Sequence, residues 1–374
     1  MMDGDKREKI VNASDPLRFH WSLSQAGDKF RRLRPPEQMP GRLSLESQLE
    51  LCRQGERCGI ESMLMAIGFT RPDPTLLSIE LGLQTEKMKF MIACRSGLIS
   101  PTYWVQQINT ASALLPGRIC VNMVCGHTPH ELRYYGDFLS HDERYERTDE
   151  FLAICRALWA AGPGGPGVDF QGKHYRVEKS LLRTPFVSGH DAMPEIFVGG
   201  NSDQAAALAA SHGDCLWRFP DRDENLRPHC ELLRSAHKQI GLLVSLITRP
   251  THEEAMAACQ ALLAQFNVDA RTNHQRFASR SDSVGFRSVY ASAVEQPEWL
   301  TPWLWTGAVP YLGPPAIALV GSFQEVVATL RHYQSMGITQ FLFTGWPDIE
   351  EMEYFGKGVL PLLYQNGVAT ESQA

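Results

Sequence analysis

The stretch Glu195-Ile196-Phe197-Val198-Gly199-Gly200-Asn201-Ser202-Asp203-Gln204-Ala205-Ala206-Ala207-Leu208-Ala209-Ala210-Ser211 holds a strand, a turn and a helix in succession. Glu195 to Val198 has the character of a short buried strand, the glycine pair ends it, and Ser202 opens an alanine-rich helical segment to Ser211. A strand running directly into a helix is the repeating unit of a parallel sheet covered by helices. The same alternation recurs along the chain. Further strands are read at Phe19 to Leu23, Met63 to Ile67, Lys89 to Cys94, Ile119 to Val124, Cys215 to Arg218, Ile240 to Ile247 and Gln340 to Thr344, making eight in all. Eight such units predict an α/β fold, a (β/α)8 TIM barrel with insertions at its C-terminal face.

The outer helices are legible too, for example Ser44 to Arg57, where a serine and a following glutamate mark the start. Three segments interrupt the alternation, residues 24 to 43, 159 to 194 and 266 to 320, and long insertions in a barrel serve as lids or binding loops. Within the second, Gly162-Pro163-Gly164-Gly165-Pro166-Gly167 lacks the GxGxxG spacing and reads as a turn into a hairpin, Val168 to Val177. One barrel is therefore expected over 17–365, with 266–320 as an insertion or lid and 1–16 and 366–374 as flexible ends.

Of the 374 residues 43% are hydrophobic and 21% charged, a globular composition. No apolar run approaches the roughly 20 residues that span a bilayer, so no membrane partner is expected. A net charge of −6 with scattered lysines and arginines argues against nucleic acid. The short cluster Arg31, Arg32 and Arg34 reads as a solvated loop. Nine cysteines without a CxxC pair, and a polar N-terminus unlike a secretory signal, point to free thiols in a cytoplasmic protein. The twelve histidines show no HxH or HExxH spacing, and no GxSxG elbow is present, so neither a metal site nor a serine hydrolase is expected.

Chemistry in such a barrel sits where the strands end at their C-termini. Those positions hold Ser24 and Gln25, then Gly68, Thr70 and Arg71, then Arg95 and Ser96, then Cys125, Gly126 and His127. After the fifth strand comes Gly199-Gly200-Asn201-Ser202, then Arg218 and Phe219, Ser245, and finally Gly345, Trp346 and Asp348. The glycine turn lets backbone approach closely and offers donors at a helix start, which suits a phosphate; a plain turn with Ser202 as helix cap explains the same residues. His141 and Tyr145, four apart, share one helical face and can donate in one direction, although a charged helix start capped by Ser140 has the same spacing.

At these residues the sequence resembles the luciferase-like flavin monooxygenases, above all the two-component alkanesulfonate monooxygenases. The resemblance is carried, in order, by Met88-Lys89-Phe90-Met91-Ile92-Ala93 with Ser100-Pro101-Thr102, and by Asn122-Met123-Val124-Cys125-Gly126. It continues through His141-Asp142-Glu143-Arg144-Tyr145-Glu146, Val168-Asp169-Phe170-Gln171-Gly172-Lys173-His174-Tyr175, Gly199-Gly200-Asn201-Ser202 and Ala318-Leu319-Val320-Gly321, covering roughly residues 17 to 365. It implies reduced FMN (FMNH2) as cofactor, with the phosphate at Gly200, Asn201 and Ser202, His141 and Tyr145 close to the flavin and Asn122 beneath its ring. It also implies O2 and a small organic molecule as substrates, reduced flavin from a separate NAD(P)H flavin reductase, and a homodimer or homotetramer. The helix Pro101 to Leu115, with few charges, suits such an interface.

The substrate half departs from the pattern. Where alkanesulfonate monooxygenases carry a cysteine after the second strand, this chain has Arg71; their arginine and histidine on the seventh strand align with Leu243 and Ser245. The mobile-loop arginine aligns with Leu312, the tyrosine after the eighth strand with Trp346, and the histidine after the first with Gln25. Losing these cationic groups together removes the charge a sulfonate needs, so desulfonation is not expected. Arg71, Arg218, Trp346 and Asp348 are left as candidate catalytic residues. Two other readings share the sequence: an oxidoreductase using the deazaflavin F420 on the same barrel, and a flavin-binding protein that has lost catalysis.

Overall fold

The computed structural model describes residues 15–23, 44–69, 71–126, 128–189, 191–266, 271–272, 275, 279–295 and 298–365. The expected flexible ends, apart from residues 15–16, and the first insertion with Gln25 lie outside the described residues. In chain order the strands and helices begin with β1 (Arg18–Ser22), α1 (Leu45–Arg57), β2 (Ser62–Met65), α2 (Pro74–Leu83), β3 (Lys89–Cys94) and α3 (Pro101–Leu114). They continue with β4 (Ile119–Val124), α4 (Pro129–Tyr134), α5 (His141–Ala161), β5 (Val168–Gln171), β6 (Arg176–Ser180), β7 (Ile196–Gly199) and α6 (Asp203–His212). Next come β8 (Cys215–Arg218), α7 (Asp223–Ser235), β9 (Gln239–Arg249), α8 (His252–Leu263), α9 (Val284–Glu295), β10 (Trp299–Thr301), β11 (Leu304–Trp305) and α10 (Val309–Leu312). The chain closes with β12 (Ala318–Ser322), α11 (Phe323–Ser335), β13 (Ile338–Thr344), α12 (Asp348–Tyr354) and α13 (Leu360–Gln365).

Eight parallel strands close a ring in the order β1-β2-β3-β4-β7-β8-β9-β13 and back to β1. This is the (β/α)8 barrel expected from the alternation. Because both faces of a parallel strand are covered, its strands read as continuous apolar runs, as in Lys89-Phe90-Met91-Ile92-Ala93-Cys94. Alternate residues fill the lumen, with Leu64, Met91, Cys120, Phe197, Trp217 and Leu342 in one apolar cluster and the Phe197 and Trp217 rings stacked 5.3 Å apart. The residues between them pack outward against the helices.

Two features enlarge the expected plan. The seventh barrel strand runs to Arg249, and its extension pairs with β12, which continues through β11 to β10 outside the ring. Residues 318–320, read as the end of an insertion, are thus sheet. The Val168 hairpin is present as β5 and β6, and the Glu150 carboxylate of α5 fastens the turn between them by accepting the N–H groups of Lys173, His174 and Tyr175 at 2.7 to 2.9 Å.

At the N-terminal ends of the strands the floor is ionic. The Arg18 guanidinium bridges Glu61 at 2.7 Å and Glu195 at 2.6 Å, and Lys89 adds a bond to Glu61 at 2.9 Å. Above it His20 bonds Ser62 at 2.7 Å and Gln340 at 2.9 Å, and Gln340 donates in turn to Gln239.

Candidate functional site

The C-terminal end of β7 delivers Gly199 and Gly200 into the turn, and Ser202 caps α6 by accepting the Ala205 N–H at 3.2 Å. The Gly200 N–H is held by the Trp217 carbonyl at 2.9 Å, and Asn201 Oδ1 accepts the Phe219 N–H at 2.9 Å, so neighbouring strand ends fix the turn. A side chain at position 200 would place its Cβ 2.6 Å from Ala205 Cβ and 2.9 Å from the Tyr145 hydroxyl, which is why glycine stands there.

His141 and Tyr145 come from the first two turns of α5. Ser140 starts that helix by accepting the Glu143 N–H, while Glu143 accepts the Ser140 N–H. This sets the His141 and Tyr145 rings 5.0 Å apart on one face and the Tyr145 hydroxyl 3.3 Å from Ser202 Oγ. Burial holds the Tyr145 phenol protonated well above its usual range, so it stands as a hydrogen-bond donor and acceptor. The structure thus brings His141, Tyr145, Gly200, Asn201 and Ser202 into one neighbourhood.

The insertion docks there as well. Arg144, fully buried on α5, donates to the carbonyls of Cys125 and Leu139 and pairs with Asp282 at 2.6 Å, two residues before α9. Gly285 of α9 lies so close to Asn201 that an added Cβ would sit 2.8 Å from its amide. Phe286 follows with an edge contact on Phe219.

Asn122 lies on β4 beside this turn, with Asn122 paired in register to Ala93 of β3 and Phe197 of β7. It is only 5% exposed, and its Oδ1 has no hydrogen-bond partner. An unsatisfied buried carbonyl costs about 1–3 kcal/mol, which a protein recovers when a bound group completes it.

The four candidate catalytic residues do not converge. Arg218 alternates with the lumen-facing Trp217 and turns outward, where Nη1 binds His229 at 2.8 Å and the Asn225 carbonyl at 3.2 Å. Asp348 is buried among the outer layer and accepts from Trp21 Nε1 and the Gly345 N–H, both at 2.8 Å. Arg71 is exposed and borders a recess with Leu23, Gln48, Met65 and Leu77 between β2 and its covering helices. Trp346 stands at the mouth, its indole donating to Ser245 Oγ at 2.9 Å, and Ser245 also bonds Thr344 at 2.9 Å and the Pro315 carbonyl at 2.7 Å. Ser245, Thr344 and Trp346 thus form a closed neutral cluster at the mouth.

One residue that the sequence placed at a strand end without weighing gains importance. Arg95 continues the lumen-facing series Met91 and Ala93, is 5% exposed, and is paired with Glu131 of α4 at 3.0 Å. Nothing local in the sequence couples Arg95 to Glu131, so only the folded chain shows the pair.

The fold and the turn define a (β/α)8 barrel whose candidate site lies at the C-terminal strand ends, around the glycine turn that opens α6. Residues 25–340 match the family described as luciferase-like monooxygenase, and the chain belongs to that family, whose members include flavin-dependent monooxygenases that use O2. Among solved structures it is similar to EDTA monooxygenase from Chelativorans sp. BNC1, with 18% identity, 95% of each chain covered and a TM-score of 0.73. It is also similar to the oxygenating constituent of 3,6-diketocamphane monooxygenase from Pseudomonas putida, solved in complex with FMN, at 19% identity, 92% and 98% coverage and a TM-score of 0.64. An F420-dependent secondary alcohol dehydrogenase has the same architecture at 18% identity, 93% and 99% coverage and a TM-score of 0.64. Among the described residues no helix is long and apolar enough to cross a membrane, and no cluster of metal-binding side chains is found.

Proposed function

We propose that this chain is the oxygenating component of a two-component system, taking reduced FMN from a separate NAD(P)H flavin reductase and oxygenating a small or medium organic molecule. The observation that carries the proposal is the orphaned Asn122 Oδ1 beside the Gly200, Asn201 and Ser202 turn, a phosphate seat next to an unfilled hydrogen-bond acceptor. Ser202 and the α6 N-terminus would hold the phosphate, Tyr145 and His141 would flank the flavin, and Asn122 would meet the ring. Bound reduced FMN supplies two electrons to O2, one oxygen atom entering the substrate and the other leaving as water. The protein's part is to orient both partners and keep water out, and the lumen of Phe197, Trp217 and Leu342 serves that exclusion.

The mouth favours a neutral or apolar substrate. Leu243, Ser245 and Trp346 offer no positive charge, and Arg95 there is neutralised by Glu131. An alkanesulfonate would find no uncommitted cation among these groups. A homodimer through α2 and α3 is part of the proposal, because Leu76, Leu83, Tyr103 and Leu114 are each more than half exposed on adjoining, nearly uncharged helices.

The test is anaerobic titration with reduced FMN and with reduced F420, followed by turnover with a flavin reductase, NADH and O2 over a panel of neutral organic compounds and octanesulfonate. Micromolar binding of reduced FMN and oxygenated product from a neutral compound are expected. Binding of F420 alone, or of neither, overturns the reading. Binding of FMN with only peroxide release across the panel overturns the catalytic half of it.

A further inference from the structure

Arg95 presents an anomaly that the phosphate seat does not explain. Its Nη2 is committed, pairing with Glu131 Oε1 at 3.0 Å and reaching the Ile67 carbonyl at 3.4 Å. Its Nε and Nη1 are fully enclosed and have no hydrogen-bond partner. Guanidinium donors left unpaired inside a protein are costlier than neutral ones, and the Glu131 pairing shows that this side chain is held in place. Glu131 is itself anchored, accepting the Phe69 N–H at 3.2 Å, so the loops after β2, β3 and β4 fix the guanidinium together.

The position of this group is informative. Neighbouring strands lie about 4.8 Å apart, so the path from β7 over β4 to β3 spans roughly 10 Å. Along it stand the phosphate turn after β7, the orphaned acceptor Asn122 on β4, and the orphaned donors of Arg95 after β3. A ligand that matches this row has a phosphate tail, then a donor or polarised edge, then an oxygen acceptor on a flat ring.

We propose that Arg95 is a ring-binding residue of this site, donating through Nε or Nη1 to a carbonyl oxygen of the flavin whose phosphate rests on the β7 turn. This rests on the FMN reading above. Because Glu131 cancels its formal charge, the pair favours a polarisable carbonyl over a free anion, and it favours the ring more as negative charge grows there on reduction.

The experiment compares riboflavin and FMN binding, and the flavin midpoint potential, in wild type, Arg95→Lys, Arg95→Gln and Ser202→Ala. Ser202→Ala should weaken FMN but leave riboflavin nearly unchanged. Both Arg95 variants should weaken FMN and riboflavin by the same factor, roughly tenfold or more for a bond from a charged donor, with a lower midpoint potential. Arg95→Lys keeps a cation for Glu131 and so guards against a simple folding defect, which thermal melts will show. Wild-type protein that binds no flavin sinks the functional reading and this inference with it. If wild type binds FMN with the expected Ser202 dependence, while a folded Arg95→Lys protein binds both flavins as tightly and at the same potential, only the Arg95 assignment falls.

Discussion

The two ends of the barrel treat polar groups in opposite ways. At the floor, Arg18 is shared between Glu61 and Glu195 and His20 is bonded at both ring nitrogens. At the mouth, Asn122 Oδ1 and two nitrogens of Arg95 are enclosed and unpartnered. The charged and imidazole groups of the floor are bonded to other protein groups, with Thr339 Oγ1 at the start of β13 a buried exception, whereas the mouth leaves a carbonyl and two guanidinium nitrogens unpartnered, as the proposed cofactor site requires. Barrels divide stability and function between their ends in this manner, and here the division can be followed atom by atom.

The largest effect expected is at the floor. Arg18→Met leaves the partly buried Glu195 without its cation and Glu61 with Lys89 alone, and breaking such a pair is expected to cost about 3 kcal/mol, the low end for buried pairs. Urea unfolding should show the loss, and flavin affinity of the remaining folded protein should be unchanged. A variant with wild-type stability but weakened flavin binding would break the contrast between the ends.

The next effect lies where the insertion meets the turn. Gly285→Val forces a branched side chain against Asn201, where even a Cβ would be 2.8 Å away. Overpacking of this kind costs about 1–3 kcal/mol, and here the relief available is for α9 to lift from the turn. FMN binding should weaken more than riboflavin binding, as measured by fluorescence titration. Equal weakening of both would mean that α9 governs the ring rather than the phosphate region.

How far the sequence reached follows the same division. The strands were legible because parallel strands are apolar on both faces, and the turn into α6 because glycine, asparagine and serine at a strand-to-helix junction have a local reason to be there. Arg218 and Asp348 misled for a shared reason: position after a strand does not tell which way a side chain turns, and both turn outward to Asn225 and His229 or to Trp21. Arg95 was hidden because its significance depends on Glu131 and on bonds it does not make, which no spacing rule encodes. The extension of β9 to Arg249 was missed because its partner, β12, lies some seventy residues further on, inside what reads as an insertion.

A pH experiment sharpens the contrast with a smaller effect. Burial depresses the His20 imidazole from 6.5 to about 4. Between those values the unfolded chain binds more protons than the folded one, so this contribution is present above 6.5 and is lost as pH falls. Glu351 behaves in reverse. Burial at the end of β9, opposed by its pair with Arg249 at 2.8 Å, raises its carboxyl from 4.5 to about 7. Its contribution is full below 4.5 and is lost as pH rises through 7. The two windows overlap and their slopes oppose, so the wild type should show only a shallow maximum within them, and Glu351→Gln should uncover the His20 limb, with stability then rising as pH goes from 4 to 6.5. Urea midpoints from pH 4 to 8 will show whether the two limbs separate.

The smallest effect is reserved for Arg71, and it discriminates between the two arginines near the mouth. Arg71 occupies the position that the sequence singled out for catalysis, yet it is exposed and borders a recess outside the lumen. Arg95 is enclosed on the lumen side of the next strand. Single substitutions commonly cost about 0.5–3 kcal/mol, and Arg71→Ala, at an exposed side chain, is expected at the low end of that range. Flavin affinity should also stay at the wild-type value, in contrast to the losses expected for Arg95. If Arg71→Ala changes neither, but raises KM for a substrate that the panel identifies, then Arg71 meets the substrate as it enters and Arg95 remains with the cofactor. If Arg71→Ala instead lowers flavin affinity as far as the Arg95 variants do, the boundary drawn between an outer recess and an inner ring seat is wrong, because a guanidinium that borders the recess would then be reaching the same molecule.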